Sequence, residues 1–253
     1  MGLLLLLVIA GCGGESQEAT RHSLEVVTDG SELGSFVTEL GFEVELDSVE
    51  IAIERVEFTV GGEAHEDGVA QKMRRWLVPD ALAHPNHSAG GEVAGEVAGP
   101  VLLRWRSGEI EVVGDGEFLS GQYAGYNLHL GDGLEGSDVA PGTMARLRGV
   151  ARRDGEEVAF DLAVDTVDEA TIYGGVFGGA IPGDGGQSVA LQFMPVDSQS
   201  GRTFFDDIDL GKLPVNDQGL AEVRPNTQEY FLLRFALLAH EFYGGALIQG
   251  RDQ

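Results

Sequence analysis

Apolar and polar residues alternate over long stretches of this chain, and the alternation predicts β-strands. Within residues 42–60 the apolar positions change parity twice, once after Leu46 and once after Ile53. A period of two is typical of a strand with one buried face. Because a slip of one residue exchanges the two faces, each change of parity predicts a bend, a turn or a bulge. Helical spacing through Val49, Ile53 and Val56 stays an alternative for the centre of the segment.

Shorter alternating runs predict a series of further strands. The clearest pair covers residues 144–152 and 157–165, with Asp154 and Gly155 between them. An Asp-Gly pair between two alternating runs favours a tight hairpin turn. The other predicted strands cover residues 24–27, 100–106, 109–113, 117–130, 171–177 and 188–194.

One amphipathic helix is predicted near the C-terminus. Asn226 is the expected N-cap, and Glu229 follows it three residues later, near the spacing of a capping box. The helix is expected over residues 230–243 and is expected to end at Gly244-Gly245. Its expected apolar stripe consists of Phe231, Phe235, Leu238 and Phe242, and the adjacent stripe consists of Leu233, Leu237 and His240.

The glycine content strengthens the β prediction. Glycine accounts for 38 of the 253 residues, roughly twice its usual share, which favours turns over long helices. No change in pattern along the chain marks a boundary between two cores. We therefore predict an all-β fold, a single antiparallel β-sandwich (or barrel) with one C-terminal amphipathic helix. This domain is expected to cover residues 36–253, with a Gly/His-rich insert at about residues 61–100.

The N-terminus begins with an apolar run, residues 3–10, that is far too short to span a bilayer as a helix. It fits the hydrophobic part of a signal peptide. The sequence Ile9-Ala10-Gly11-Cys12 resembles the lipobox of bacterial lipoproteins. This resemblance implies a signal peptide over residues 1–11, with cleavage before Cys12 and lipidation of its thiol. A polar tether is then expected over residues 12–35.

The lipobox also implies an address in the bacterial cell envelope. Gly13 follows the cysteine, where an Asp would retain such a lipoprotein at the inner membrane, so the outer membrane is expected. Cys12 is the only cysteine of the chain, which excludes an intramolecular disulfide. It also leaves no other thiol for cysteine catalysis.

The charge of the chain limits its partners. There are 42 Asp and Glu residues against 16 Lys and Arg residues, a formal net charge of −26. Binding to nucleic acid needs clustered cationic side chains, so a nucleic-acid partner is not expected. The nucleophile elbow, the phosphate-binding loop and the dinucleotide fingerprint are also missing from the sequence. A non-enzymatic binding role is therefore expected.

Histidines supply the candidate metal ligands. His84 and His87 form an H-x-x-H pair in the insert, and His65 lies in the same insert. Neutral imidazoles bind both copper and zinc, so these three residues are the leading candidate ligands. His129 and His240 are weaker candidates. The alternatives are solvated histidines in the insert, a hydrogen-bonded His129 on the polar face of a strand, and a His240 at the edge of the core.

Two further groups of residues have alternative interpretations. Asp206, Asp207 and Asp209 offer oxygen ligands for calcium, or they belong to a solvated acidic loop. A set of aromatic residues offers a surface for sugar stacking, or it packs in the core. This set consists of Trp76, Trp105, Tyr123, Tyr126 and Tyr173.

Several segments together resemble a family of secreted proteins. They are GFEVELDSVEIAIERVEF at residues 41–58, AHPNH at residues 83–87, FLSGQYAGYNLHL at residues 118–130 and RRDGEEVAF at residues 152–160. In this order they resemble secreted bacterial β-sandwich lipoproteins, including the periplasmic copper-binding proteins associated with methanobactin operons (MbnP-like). The resemblance implies the sandwich fold and the envelope address. It also favours a metal ligand by analogy.

These observations give one leading hypothesis and one competitor. The leading hypothesis is a membrane-anchored periplasmic or surface lipoprotein that binds a transition metal, copper or zinc, through its histidines without catalysing a reaction. The competitor is an adhesion or structural module that binds an extracytoplasmic protein or a glycan.

Overall fold

The computed structural model describes residues 21–60, 91–181 and 186–250, and these residues are mostly β, with 59% in strands and 8% in helices. The all-β prediction is therefore confirmed. Within these ranges there are one α-helix, α1 (Gln228–Leu237), and two short 3-10 helical turns, Leu210–Lys212 and His240–Phe242. The strands are β1 (Arg21–Asp29), β2 (Ser35–Val37), β3 (Glu43–Val60), β4 (Glu92–Arg106), β5 (Ile110–Leu119), β6 (Gly121–Leu130), β7 (Thr143–Arg153), β8 (Glu156–Asp165), β9 (Thr171–Ile181), β10 (Gln187–Phe193) and β11 (Tyr243–Gln249).

All of these strands belong to one hydrogen-bonded sheet. Its order is β4-β5-β1-β10-β11-β9-β6-β3-β7-β8, and β2 pairs with β3 outside this path. Strand β3 also pairs with β4, in addition to β6 and β7. Eight of the strands therefore form a closed ring of pairings, in the order β3, β4, β5, β1, β10, β11, β9, β6 and back to β3.

The sheet is mixed, so the prediction of a purely antiparallel arrangement was wrong. Strands β1 and β10 are parallel, with Val26 opposite Val189, and β11 and β9 are parallel, with Gly244 opposite Val176. The prediction assumed that strands pair mainly with their neighbours in sequence. Here the first strand lies between β5 and β10, and the last lies between β10 and β9, which requires connections that cross the sheet.

Strand β3 explains the two changes of parity in residues 42–60. Its register shifts between Leu46 and Ser48 against β7, and between Ile53 and Arg55 against both β4 and β6. Each shift is a bulge that turns the next apolar residue back towards the core. The bulge prediction is confirmed, and the helical alternative for this segment was wrong. The buried apolar positions of β3 are Val44, Leu46, Val49, Ile51, Ala52, Ile53, Val56 and Phe58.

The predicted hairpin is confirmed as β7 and β8. Asp154 and Gly155 form the turn, and both have positive φ, 55° and 83°. Two consecutive residues in the left-handed region are what a tight hairpin turn of the type I′ class requires.

The C-terminal helix is present but shorter than predicted. Its N-cap is Thr227, whose hydroxyl accepts a 3.3 Å hydrogen bond from the backbone N–H of Tyr230, and not Asn226. Of the first predicted stripe, Phe231 and Phe235 are 53% and 68% exposed. The buried residues of α1 are Tyr230, Leu233, Ala236 and Leu237, which include Leu233 and Leu237 of the adjacent stripe.

The N-terminal segment is more ordered than a tether. Strand β1 extends the predicted strand at residues 24–27, and its Val26 and Val27 are fully buried. Strand β1 therefore lies inside the stretch expected to be a tether, residues 12–35, and β2 begins at its last residue, Ser35. Strand β4 likewise begins inside the expected insert, at Glu92. Cys12 and the expected signal peptide lie outside the described residues.

The core is rich in aromatic rings that join distant strands. Trp105 on β4 donates a 2.8 Å hydrogen bond to the carbonyl oxygen of Leu191 on β10, and its ring lies 6.0 Å from that of Phe193. Phe58 on β3 contacts the rings of Phe118 on β5 and Phe177 on β9. Because these strands are not neighbours in the sheet, the sheet curves around the core.

Candidate functional site

Two of the candidate metal ligands lie in the described part of the chain, on different elements. His129 is on β6, and His240 begins the 3-10 turn before β11. The leading candidates His65, His84 and His87 lie outside the described residues, in the insert.

His129 lies among polar groups on the outer face of the sheet. Its Nε2 atom is 2.8 Å from Oε2 of Glu57, and its Nδ1 atom is 3.3 Å from the hydroxyl of Thr171. Arg55 approaches the other oxygen of the Glu57 carboxylate at 2.9 Å. Both imidazole nitrogens therefore lie close to protein groups.

His240 lines a cleft of about 210 Å³, which we call the His240 cleft. The cleft lies at the edge of the sheet where β10 ends and β11 begins. Its residues combine an apolar floor with a polar rim. They are Val176, Gln192, Met194, Asp197, Ser198, Gln199, His240, Glu241, Gly244 and Gly245.

Gly244 of β11 faces the cleft, whereas the next residue, Gly245, faces the aromatic core. A Cβ atom on Gly244 would lie 3.0 Å from both Sδ and Cε of Met194. A Cβ atom on Gly245 would lie 2.9 Å from the ring of Phe177 and 3.1 Å from the carbonyl oxygen of Ala190. The thioether of Met194 therefore lies directly against the floor at Gly244. The sequence suggested a helix stop at this Gly-Gly pair, whereas the pair begins a strand.

Hydrogen bonds fix the backbone of Met194 and of the strand that forms the floor of the cleft. The backbone N–H of Met194 donates to the carbonyl oxygen of Phe242 at 2.8 Å. Below the floor, the hydroxyl of Tyr126 donates to the carbonyl oxygen of Gly244 at 2.9 Å, and that of Tyr243 donates to Leu237 at 2.7 Å. Burial raises the pKa of both tyrosines, so they remain neutral donors at ordinary pH.

The carboxylates of the rim are engaged by protein groups. Oε1 of Glu241 is 3.2 Å from Nη1 of Arg202, whose Nη2 is 2.7 Å from Oδ2 of Asp207. Asp197 accepts hydrogen bonds from the backbone N–H groups of Gln199 and Ser200. These contacts hold the loop that forms one wall of the cleft.

An acidic depression of about 340 Å³ adjoins the cleft and shares Asp197 and Glu241 with it. Asp206, a candidate calcium ligand, is buried here and accepts hydrogen bonds from Thr203 and from the backbone N–H of Glu39. Asp209 instead pairs with Lys212 at 2.8 Å, which lowers the pKa of its carboxyl. The three aspartates therefore do not share one set of partners.

The aromatic candidates belong mainly to the core. Trp105, Tyr123 and Tyr126 are fully buried, so the core interpretation is confirmed for these three. Tyr173 is 58% exposed, and Trp76 lies outside the described residues.

Within residues 21–60, 91–181 and 186–250, no three His, Cys, Asp or Glu side chains are arranged to hold a metal ion together. The His240 cleft nevertheless brings an imidazole and a thioether to one cavity. The sequence analysis missed Met194, because a methionine at the end of a strand usually packs in the core. In the sequence, Met194 was recognised only as the last residue of the strand predicted over residues 188–194.

The chain matches no known protein family, and no curated protein or solved structure is significantly similar to it. In the described ranges, no helix has both the length and the apolar character needed to cross a membrane.

Proposed function

We propose that this chain is a non-enzymatic copper-binding lipoprotein of the bacterial cell envelope, and that Cu(I) binds in the His240 cleft. The imidazole of His240 and the thioether of Met194 are the proposed ligands. The observation that carries the proposal is that these two side chains line the same cavity, where the thioether of Met194 lies against Gly244.

The chemistry of the cleft favours Cu(I) over zinc. Soft thioether sulphur selects Cu(I), and imidazole is also a good copper ligand. Structural zinc sites are almost always tetrahedral with four protein ligands, and the described residues offer no such set. The net charge of −26 also favours a cation over an anion as the ligand.

The cell-envelope address rests on the sequence. The apolar run and the sequence that ends at Cys12 support lipid anchoring, and more than one acyl chain is needed for stable anchoring. We propose the outer membrane as the site of attachment, since Gly13 and not Asp follows the cysteine.

A second candidate function is supported by a different observation. Phe231 and Phe235 are exposed on one side of α1, and large exposed apolar side chains favour a protein partner. This observation supports the competing interpretation, an adhesion or structural module that binds an extracytoplasmic protein.

The copper proposal is tested by anaerobic titration of Cu(I) against a coloured chelator. All proteins carry Cys12→Ser, so that a free thiol cannot bind copper. Met194→Leu removes the thioether at nearly constant volume, and His240→Asn removes the imidazole. We expect each substitution to weaken binding by about tenfold or more, because each removes one of few ligands.

His129→Asn is the matched control. His129 is also a described histidine of the sheet, but it contacts Glu57 and does not line the cleft. It is expected to leave the copper affinity unchanged. Equal affinity in the Met194 and His240 variants and in the parent protein would exclude the cleft as the copper site.

A further inference from the structure

Glu50 is a buried carboxylate on the outer face of β3. The residue is 1% exposed, and neither oxygen of its carboxylate accepts a hydrogen bond from any described residue. Its neighbours Val49 and Ile51 face the core, so Glu50 points to the opposite side of the sheet. A buried carboxylate without hydrogen-bond donors is costly in its charged form.

Arginines flank Glu50 on both neighbouring strands. In the sheet register, Arg104 of β4 and Arg146 of β7 lie directly opposite it. The Nε atom of Arg104 approaches Oε1 of Glu50 only to 3.3 Å, and this Nε atom is itself buried without an acceptor among the described residues. The Glu50–Arg104 pair is therefore close in space but poorly hydrogen-bonded.

The other charged groups around Glu50 come from five elements. They are Arg104 and Arg106 of β4, Arg146 and Arg148 of β7, Glu111 of β5, Asp161 of β8, and Asp138 in the connection between β6 and β7.

The other three carboxylates have arginine partners that hold their charge. Asp161 accepts two hydrogen bonds from Arg146, at 2.6 and 2.5 Å. Glu111 lies 2.5 Å from Arg106, and the contact of Asp138 with Arg148 lowers the pKa of the Asp138 carboxyl. Asp161 and Glu111 thus accept hydrogen bonds from arginines and Asp138 contacts Arg148, whereas Glu50 accepts no hydrogen bond from a described residue.

We propose that Glu50 is a proton-binding switch, which takes up a proton and then releases Arg104 from its pairing across β3 and β4. Four arginines and four carboxylates form this cluster, so protonation changes it from neutral to a net charge of +1. The inference is independent of the copper proposal.

Burial is the main cause that raises the pKa of Glu50, and repulsion from Asp138 raises it further, while Arg104, Arg148 and Arg106 oppose the rise. A carboxyl whose pKa is higher in the folded than in the unfolded protein binds more protons when folded. The stability that Glu50 contributes is therefore present at low pH and is lost as the pH rises through its raised pKa.

The test is a carboxyl ¹³C NMR titration of the full chain, with Glu50 assigned by the signal missing in Glu50→Gln. We expect the midpoint of Glu50 to lie above the ordinary pKa of a glutamate carboxyl. We also expect Asp138→Asn to move it to lower pH, because one repulsive charge is lost and Arg148 is released. This second variant leaves Glu50 intact, so the test stands even where Glu50→Gln fails to fold.

Urea unfolding from pH 4 to 8 supplies a second readout. The difference in unfolding free energy between the parent protein and Glu50→Gln is expected to fall as the pH rises. A Glu50 midpoint at or below the ordinary pKa of a glutamate carboxyl, or one that Asp138→Asn leaves unchanged, would overturn the proposal.

Discussion

Gly175 lies against the ring of Tyr126, and an added methyl group has no space there. A Cβ atom on Gly175 would lie 2.6 Å from Cζ of that ring. The ring cannot move away easily, because it is buried and its hydroxyl is bonded to Gly244. We expect Gly175→Ala to lower the free energy of unfolding by about 1–3 kcal/mol, measured by urea denaturation.

Gly178 is the matched control on the same strand, β9. A Cβ atom there meets nothing within 4 Å. Gly178→Ala is therefore expected to change stability by less than about 0.5 kcal/mol. Similar losses for the two variants would show that the strand, and not the Tyr126 ring, is sensitive to the methyl group.

Residue types alone predicted only part of the candidate site. His240 was a candidate from the sequence, and the structure places it in a cleft. Met194 was not, because the contact of its thioether with Gly244 depends on the pairing of β10 with β11, 50 residues apart in sequence. Glu50 was not singled out either, since one of 42 acidic residues carries no local sign of burial.

At the scale of the element, the two faces of α1 are expected to contribute unequally to the stability of the domain. Leu233 is fully buried and Phe235 is 68% exposed on the same helix. Leu233→Ala is expected to lower the free energy of unfolding by about 2–5 kcal/mol, because it leaves a cavity. Phe235→Ala is expected to change it by less than about 0.5 kcal/mol.

Thermal and urea unfolding of the two variants measure this difference directly. An equal loss of stability in both would contradict the orientation of α1. The sequence placed Phe235 on the core side because the helix was extended to residue 243. The segment after residue 239 instead forms a 3-10 turn and β11. The buried face of the helix therefore consists only of residues within Gln228–Leu237.

Elements with a strong local pattern were predictable, and elements without one were not. The bulges of β3 followed from two changes of parity, and the turn at Asp154-Gly155 followed from residues that tolerate positive φ. Strand β11 was missed, because its apolar residues continue the helical spacing of α1 and its two glycines look like a helix end. Its strand conformation comes from pairing with β10.

At the scale of the whole molecule, the order of the strands was beyond the sequence pattern. Alternation shows that a segment has a buried face but not which strand lies beside it. Strand β1 pairs with β5 and β10, each far away in sequence, and the parallel pairing of β1 with β10 made the sheet mixed. Which strands pair with each other depends on how many side chains from distant parts of the sequence pack in one core.

The central claim is that the His240 cleft, and not the insert, binds copper. The most direct measurement is the copper retained per chain after Cu(I) loading and gel filtration, quantified by mass spectrometry. Three proteins are compared, all with Cys12→Ser: the parent, a Met194→Leu/His240→Asn variant and a His84→Ala/His87→Ala variant. We predict about one ion per chain in the parent and in the His84/His87 variant, and none in the Met194/His240 variant. Retention that survives in the Met194/His240 variant but is lost in the His84/His87 variant would contradict the claim, as would a parent protein that retains no copper.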